Sequence, residues 1–369
     1  MSELVVNIHR VIIEEHPNAD VIELALIGGY RSIVPKGRHT TGDLVAYIPE
    51  QSLVPQWLIE ELGLEGRLAG RARNRVKPIK LRGVLSQGLI VPLVEDGDNW
   101  VISNECEIQA VDEDDDVTEF LGITKWEPQI PESMNGVVES GHGKTLTYDI
   151  ENYKRFPNVF KEGEDVVFTE KIHGTWACFG INDGVSIVTS KGLSARGLIF
   201  KLGHENDHNL YVKMYNAVGR SLVNFILKYY IDARAVYVLG EIFGNGVQDL
   251  GYGYTTKQFR VFDIVLIMCD NGKRYLSFDE MVKLVDMASA YNIDVSIVPE
   301  LYKGPFSVER MLEYTSGKET VSGSESNIRE GIVMKPTTER NIDTLGRVVL
   351  KSVSEDYLTR KNKDATEYQ

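Results

Sequence analysis

Apolar positions in the first quarter of the chain come in short bursts. LVVNIHRVIIEE, VIELALIG, RSIVPKG, LVAYIPE and GLIVPL, within residues 3–95, read as β-strands bounded by Gly, Pro, Asn and Asp. One helical pattern, VPQWLIEELGL, interrupts them. Five short strands and one helix match the size and content of a small OB-type barrel. The acidic segment 105–119 then reads as a domain edge or linker, and WEPQIPESMNG, with its two prolines, continues into a second unit.

From about residue 140 the pattern becomes α+β. Strand-like runs are VVFTEKI, TWACFGI, VSIVTS, AVYVLGEIF, QFRVFDIVLI, DVSIVPELY, GIVMKP and RVVLKSVS. The short gaps between neighbouring runs predict mainly antiparallel pairing. Helical patterns cover 207–229 and 276–292, and the second opens with Ser277-Phe278-Asp279-Glu280, a capping-box sequence. The expected fold class is α+β: an OB-type β-barrel over residues 1–125, then a domain built on antiparallel sheets over 126–369.

Composition bounds this picture without changing it. A length of 369 residues suits about two domains, and 43% hydrophobic with 25% charged residues is ordinary for a folded chain. No apolar run approaches the ~20 residues that span a bilayer. The start, MSELVVNIHR, lacks the basic and apolar regions of a signal peptide. Cys106, Cys178 and Cys269 are odd in number and far apart, which argues against a disulfide framework and fits a reducing compartment. The expectation is a cytoplasmic monomer away from membranes.

Charge matters more by distribution than by sum. The net charge of −14 argues against general nucleic-acid binding. Yet Arg67, Arg71, Arg73, Arg75, Lys77, Lys80 and Arg82 form a run without an acid, able to meet a polyanion locally.

Two motifs are decoys. HENDH, residues 204–208, matches the HExxH zinc pattern, which needs both histidines on one helical face. Gly203 precedes it, and Asn206 and Asp207 suit a cap better than a helix interior, so one of them is expected to be the N-cap of the following helix. GNGVQDLGYGY, residues 244–254, lacks the spacing and the lysine of a phosphate loop, and reads as a flexible loop beside a site.

The chemistry centres on Lys171-Ile172-His173-Gly174. In an extended chain Lys171 and His173 face the same way, and Gly174 removes a side chain where a ligand approaches. A lysine amine forms covalent intermediates once desolvation or nearby cations release its proton. Alone, the tetrapeptide is better described as a strand-end lysine and a turn glycine. Glu241 in LGEIFG, Phe262 in FRVFDI, Glu330 in EGIVMK and Lys351 in VVLKSVS then follow, and each of these elements puts a charged residue at one end of a β-like run. Strand ends lining one cleft would gather Lys171, Glu241, Glu330 and Lys351. Two carboxylates would hold a hydrated divalent cation by its waters, two lysines would face phosphate, and Phe262 would stack on a flat base.

The order of these elements resembles the nucleotidyltransferase motifs of covalent ligases and capping enzymes. KIHG, Ser190-Lys191-Gly192, LGEIFG, FRVFDI, EGIVMK and VVLKSVS correspond to motifs I, Ia, III, IIIa, IV and V. His within KxHG is similar to the RNA ligase 2 branch. EKIHGTW, the VQDLGYGY after motif III and the separate barrel look most like Deinococcus-type RNA ligases (RNA ligase 5), over nearly the whole chain. HPNAD, residues 16–20, also resembles the tRNA-binding OB domains attached to some synthetases.

The resemblance implies an ATP-grasp-like adenylyltransferase domain that uses ATP with Mg²⁺ or Mn²⁺. Lys171 would take AMP, pass it to an RNA 5′-phosphate, and a 3′-OH would then displace it. Lys351 would neutralise the α-phosphate and help depress the pKa of Lys171. Glu241 would hold the ribose and metal waters, Glu330 the metal hydrate, Phe262 the adenine and Lys191 phosphate. Glu170, Ile172, His173, Gly174 and Val333 complete the implied nucleotide site. Arg73, Arg75, Lys77, Lys80 and Arg82 would contact the phosphates of the partner, a nicked RNA duplex or RNA–DNA hybrid with 3′-OH and 5′-phosphate ends. Two positions depart from the pattern. Val353 stands where relatives carry a second motif V lysine, leaving Arg347 or Arg360, Lys361 and Lys363 as substitutes, and Trp176 replaces a common Asn. An ATP-dependent DNA ligase, a GTP-dependent capping enzyme and an RNA-binding accessory protein with an inactive transferase domain are the competing readings, separated by nucleotide labelling of Lys171.

Overall fold

The computed structural model describes residues 4–97, 99–127 and 129–360, so Lys361 and Lys363 lie outside the described residues. The chain divides into two compact units, one running to residue 127 and including 153–157, the other formed by 128–152 and the chain from 158 onward.

In the first unit, Asn7–Arg10, Leu44–Ile48 and Leu89–Pro92 form one antiparallel sheet, and Ile12–Glu15, Ile22–Ile27 and Tyr30–Pro35 another. Every residue of Leu44–Ile48 is buried. Its alternating side chains enter two cores: Leu44, Ala46 and Ile48 one, Val45 and Tyr47 the other. The predicted helix forms over Gln56–Glu61 and buries Leu58 and Ile59. The acidic segment is no linker. Ile108–Val111 pairs with Asn99–Ser103, and Val111 and Val117 are buried in the same core. Its acids face outward while those two valines anchor it.

The second unit is built on two sheets. One orders Glu151–Asn152, Leu350–Val353, Gly331–Pro336, Asp165–Lys171 and Glu300–Pro305; the other orders Val185–Ser190, Thr175–Asn182, Ala233–Gly244, Lys257–Met268 and Lys273–Tyr275. Pairing is antiparallel except where Glu151–Asn152 meets Leu350–Val353 and Ser296–Ile297 meets Lys257–Met268. The helix Phe278–Ser289 begins with the expected Ser277–Glu280 capping box. The N-cap after HENDH is Asn209, not Asn206 or Asp207: its side chain accepts from the N–H groups of Tyr211 and Val212. Asn206 is buried and spent on Val137 and Lys201. HENDH itself is a short 3₁₀ turn, so its histidines never share a helical face. Among the described residues no helix is long and apolar enough to cross a membrane.

Candidate active site

Strand register assembles the site. Lys171 pairs with Gly331 and Gly331 with Val353; one pleat away, Thr169 pairs with Val333 and Val333 with Lys351. Directly opposed residues share a face, so Lys171 and Lys351 point the same way from strands separated by one other. Lys171 Nζ donates to Glu330 Oε1, and Glu330 is fully buried. Its second oxygen makes no hydrogen bond among the described residues; His173 Nδ1 stands 3.6 Å away.

The other sheet supplies the facing wall. Trp176 pairs directly with Glu241. Between Leu239↔Asp263 and Gly240↔Val261 the register slips, leaving Phe262 as the extra residue of a β-bulge. A bulge re-aims a side chain, and here Phe262 turns to the cleft while Asp263 goes beneath it. Gly174 sits so close to the next strand that a Cβ would collide with Ile242 O and stand 2.9 Å from Glu241 Cγ. The close approach at this glycine is thus to the protein's own backbone.

Glu170, Lys171, Ile172, His173, Gly174, Lys191, Glu241, Phe262, Glu330, Val333 and Lys351 all border one cleft that opens to solvent. Glu170 is buried, and Thr320 donates to its Oε2 from N and Oγ1. Burial raises the pKa of this carboxyl. Its Oε1 makes no hydrogen bond among the described residues.

Several cleft residues escaped sequence reasoning. Asp149 accepts from Lys191 Nζ at 2.9 Å. Burial alone would raise its pKa, but Lys191, and then Lys351, bring it below the ordinary value. Only the parallel pairing of Glu151–Asn152 with Leu350–Val353 brings Asp149 near Lys351, and no local pattern reports that. Lys335, in EGIVMK, is buried, donates to Phe262 O at 2.8 Å and pairs with Asp263 at 3.0 Å. Tyr148 donates to Asp263 at 2.6 Å. A lysine at the end of EGIVMK was the available signal.

Other expectations need correction. Arg347 is not free to replace the missing motif V lysine: it bonds Asp263 and Glu339 and stacks 3.7 Å from the Tyr275 ring centroid. Arg360 is likewise bound to Asp249. The strand ends at Lys171, so alternation does not carry to His173. That imidazole is buried, with Nε2 2.6 Å from Asp249 and Nδ1 2.7 Å from the Tyr357 hydroxyl, rather than turned to a ligand. Nor is 244–254 a free loop: Tyr252 is buried and accepts from His173 N at 2.7 Å.

In the first unit Arg73, Lys80 and Arg82 are exposed and Lys77 is half-buried. Arg75 is not available to phosphate, being buried with its guanidinium 3.8 Å from the Trp126 ring centroid. HPNAD braces the hairpin that carries Lys80 and Arg82: Asn18 Nδ2 donates to Arg82 O at 3.1 Å.

Two mainly antiparallel sheets flanking a lysine-bearing cleft, preceded in the chain by a small β-unit, define a nucleotidyltransferase domain that follows an OB-fold domain in the sequence. An OB-fold domain model matches residues 5–93, and the RNA ligase family model matches residues 164–353. The chain belongs to the RNA ligase family. Among solved structures it is similar to Naegleria gruberi RNA ligase with pyrophosphate, at 23% identity and TM-score 0.74, covering 96% of this chain and 98% of that one. Variants of the same Naegleria enzyme, one with ATP and manganese and one with AMP and manganese, each match at 23% identity and TM-score 0.75, covering 98% of this chain and 100% of theirs. That likeness shows the fold. No curated protein matches the chain.

Proposed function

We propose that this protein is an ATP-dependent RNA ligase of the Deinococcus type, sealing 3′-OH and 5′-phosphate ends at nicks through a lysyl-AMP intermediate. The observation that carries the reading is the pairing of half-buried Lys171 with fully buried Glu330 in a cleft shared with Lys351 and Phe262. In the first step Lys171 Nζ, having given up a proton, attacks the α-phosphorus of ATP. The N–P bond forms and the P–O bond to pyrophosphate breaks. The RNA 5′-phosphate next attacks the same phosphorus, releasing the lysine and leaving a 5′–5′ adenylylated end. The 3′-OH then attacks the RNA phosphorus and AMP departs. Such transfers are driven by positioning and charge neutralisation.

The chain's residues fit these tasks. Lys351 and Lys191 offset phosphate charge, and the re-aimed Phe262 offers a stacking face. Glu170 Oε1, buried without a hydrogen bond among the described residues, would accept from the exocyclic amine of adenine, whereas guanine presents an acceptor there; this supports ATP over GTP. The unbonded Glu330 Oε2, together with Glu241, suits a hydrated Mg²⁺ or Mn²⁺, which would supply further charge neutralisation. Among the described residues there is no direct three-ligand cluster, consistent with a cation held through water.

The test is covalent labelling with ATP radiolabelled at the α-phosphate, in Mg²⁺. The wild-type protein should take label that Lys171→Ala loses entirely. Labelling by GTP in preference to ATP, or label surviving in Lys171→Ala, would sink the proposal. Nicked duplexes varied between RNA and DNA in each strand then define the polynucleotide.

A further inference from the structure

His173 stands at the junction of three segments that the sequence keeps apart. Asp249, from the glycine-rich loop, accepts its Nε2–H at 2.6 Å. The hydroxyl of Tyr357 lies 2.7 Å from its Nδ1. Arg360 donates to Asp249 Oδ2 at 3.0 Å, and its guanidinium lies 3.7 Å from the Tyr357 ring centroid. Tyr357, His173, Asp249 and Arg360 therefore close a ring of contacts. The same C-terminal segment also grips the carboxylate strand, because Ser354 N donates to Glu330 O at 2.8 Å. Glu330 is the partner of Lys171, and its free oxygen lies 3.6 Å from His173 Nδ1.

We propose that Asp249, Tyr357 and Arg360 form a clasp that sets His173 and, through it, the Glu330–Lys171 pair for attack on the nucleotide. This rests on the ligase reading above. The residues act through His173 and Glu330, so they are positioning residues. On this account the segment from Glu355 to Arg360 is part of the catalytic apparatus, although it follows the last nucleotidyltransferase motif.

Its composition argues for position over bulk stability. The helix Glu355–Leu358 buries Tyr357 alone, and the hydroxyl of that ring is the group that meets His173. What it contributes is directed polar contact. Asp249 keeps 11% of its side chain exposed and Arg360 14%, whereas His173 keeps 1%, so the clasp is sheltered at the end that touches the reaction centre. An imidazole held on both nitrogens cannot swing, and an error near 1 Å in such a mount costs on the order of 100-fold in rate.

The experiment uses the full chain with Asp249→Asn, Tyr357→Phe and the double variant. Single-turnover transfer of α-labelled AMP from ATP to Lys171 is followed across ATP concentrations, with melting scans in parallel. The expected result is a rate at saturating ATP lower by ~10-fold to ~100-fold, with the KM for ATP moved by less than about threefold. Because both residues act through His173, the double variant should fall little further than the worse single variant. Melting should shift by only a few degrees, as for the removal of one hydrogen bond. Rates within about twofold of wild type would overturn the clasp. So would a rise in KM at unchanged saturated rate, which would move Asp249 into nucleotide binding. A wild-type protein that takes no label at all defeats the ligase reading and the clasp together; a labelled wild type with unaffected variants defeats the clasp alone.

Discussion

Replacing Asp263 with Asn keeps the shape of the side chain and removes one charge from a sealed place. Asp263 is fully buried; Lys335 lies 3.0 Å away, Tyr148 donates at 2.6 Å, and Arg347 donates as well. The substitution leaves buried Lys335 facing an amide, while Arg347 keeps its second carboxylate, Glu339. Breaking a buried pair from one side typically costs about 3–5 kcal/mol. An independent ceiling comes from the escape route open to Lys335, which can shed its proton. At pH 7 that costs about 1.36 kcal/mol for each unit by which its pKa exceeds 7, at most ~4.6 kcal/mol for a lysine of ordinary pKa ~10.4. Burial already lowers the pKa of Lys335, so the true escape is cheaper. A loss of about 3–4 kcal/mol satisfies both bounds, a large share of the ~5–15 kcal/mol that holds a typical protein together. The assay is calorimetric unfolding, in which the melting temperature of Asp263→Asn should fall below that of the wild type. The pH dependence gives a second check. Burial pushes the Asp263 carboxyl up, but Lys335 and Arg347 hold it below its ordinary value. Its contribution is therefore present above about pH 3.9 and lost as pH falls through the folded-state value. The gap between wild type and Asp263→Asn should narrow in acid. A loss under about 1 kcal/mol at pH 7, or a gap that widens in acid, would refute the account of this cluster.

Two further outcomes test the remaining geometry. Gly174→Ala drives a Cβ into Ile242 O beside Glu241, where strand backbone cannot yield, so it should cost roughly 1–3 kcal/mol of stability and most of the Lys171 labelling; wild-type labelling would show that the turn has slack. Replacing exposed Arg73, Lys80 and Arg82 together with Ala should weaken RNA binding and flatten the plot of log affinity against log salt by about one unit for each phosphate no longer neutralised. An unchanged slope would remove that face from the RNA path.

Much of the architecture is legible in the amino-acid sequence. Strands, turns and the Ser277–Glu280 cap depend on neighbours within a few residues, and alternation or capping chemistry reports them directly. The ordered charged residues do border one cleft, although Glu241 lies within the strand Ala233–Gly244 and not at its end. The errors fall where a residue's neighbour lies far along the chain. Arg75, Arg347 and Arg360 look alike as letters, yet each is bound, to Trp126, to Asp263 and to Asp249 respectively. The acidic segment reads as a linker because two buried valines among many acids make a faint pattern.

The local series of apolar and polar positions marked most strands and helices, and the order of the charged residues along the β-runs pointed to one cleft. Register decided the rest. A one-residue slip at Phe262 sends its ring to the cleft and Asp263 beneath it, and the pairing of Lys171 with Gly331 and Gly331 with Val353 sets the row in which the lysine stands. Such pairings join residues far apart in the chain and are selected by the packing of whole sheets, a free energy that no short window of sequence contains.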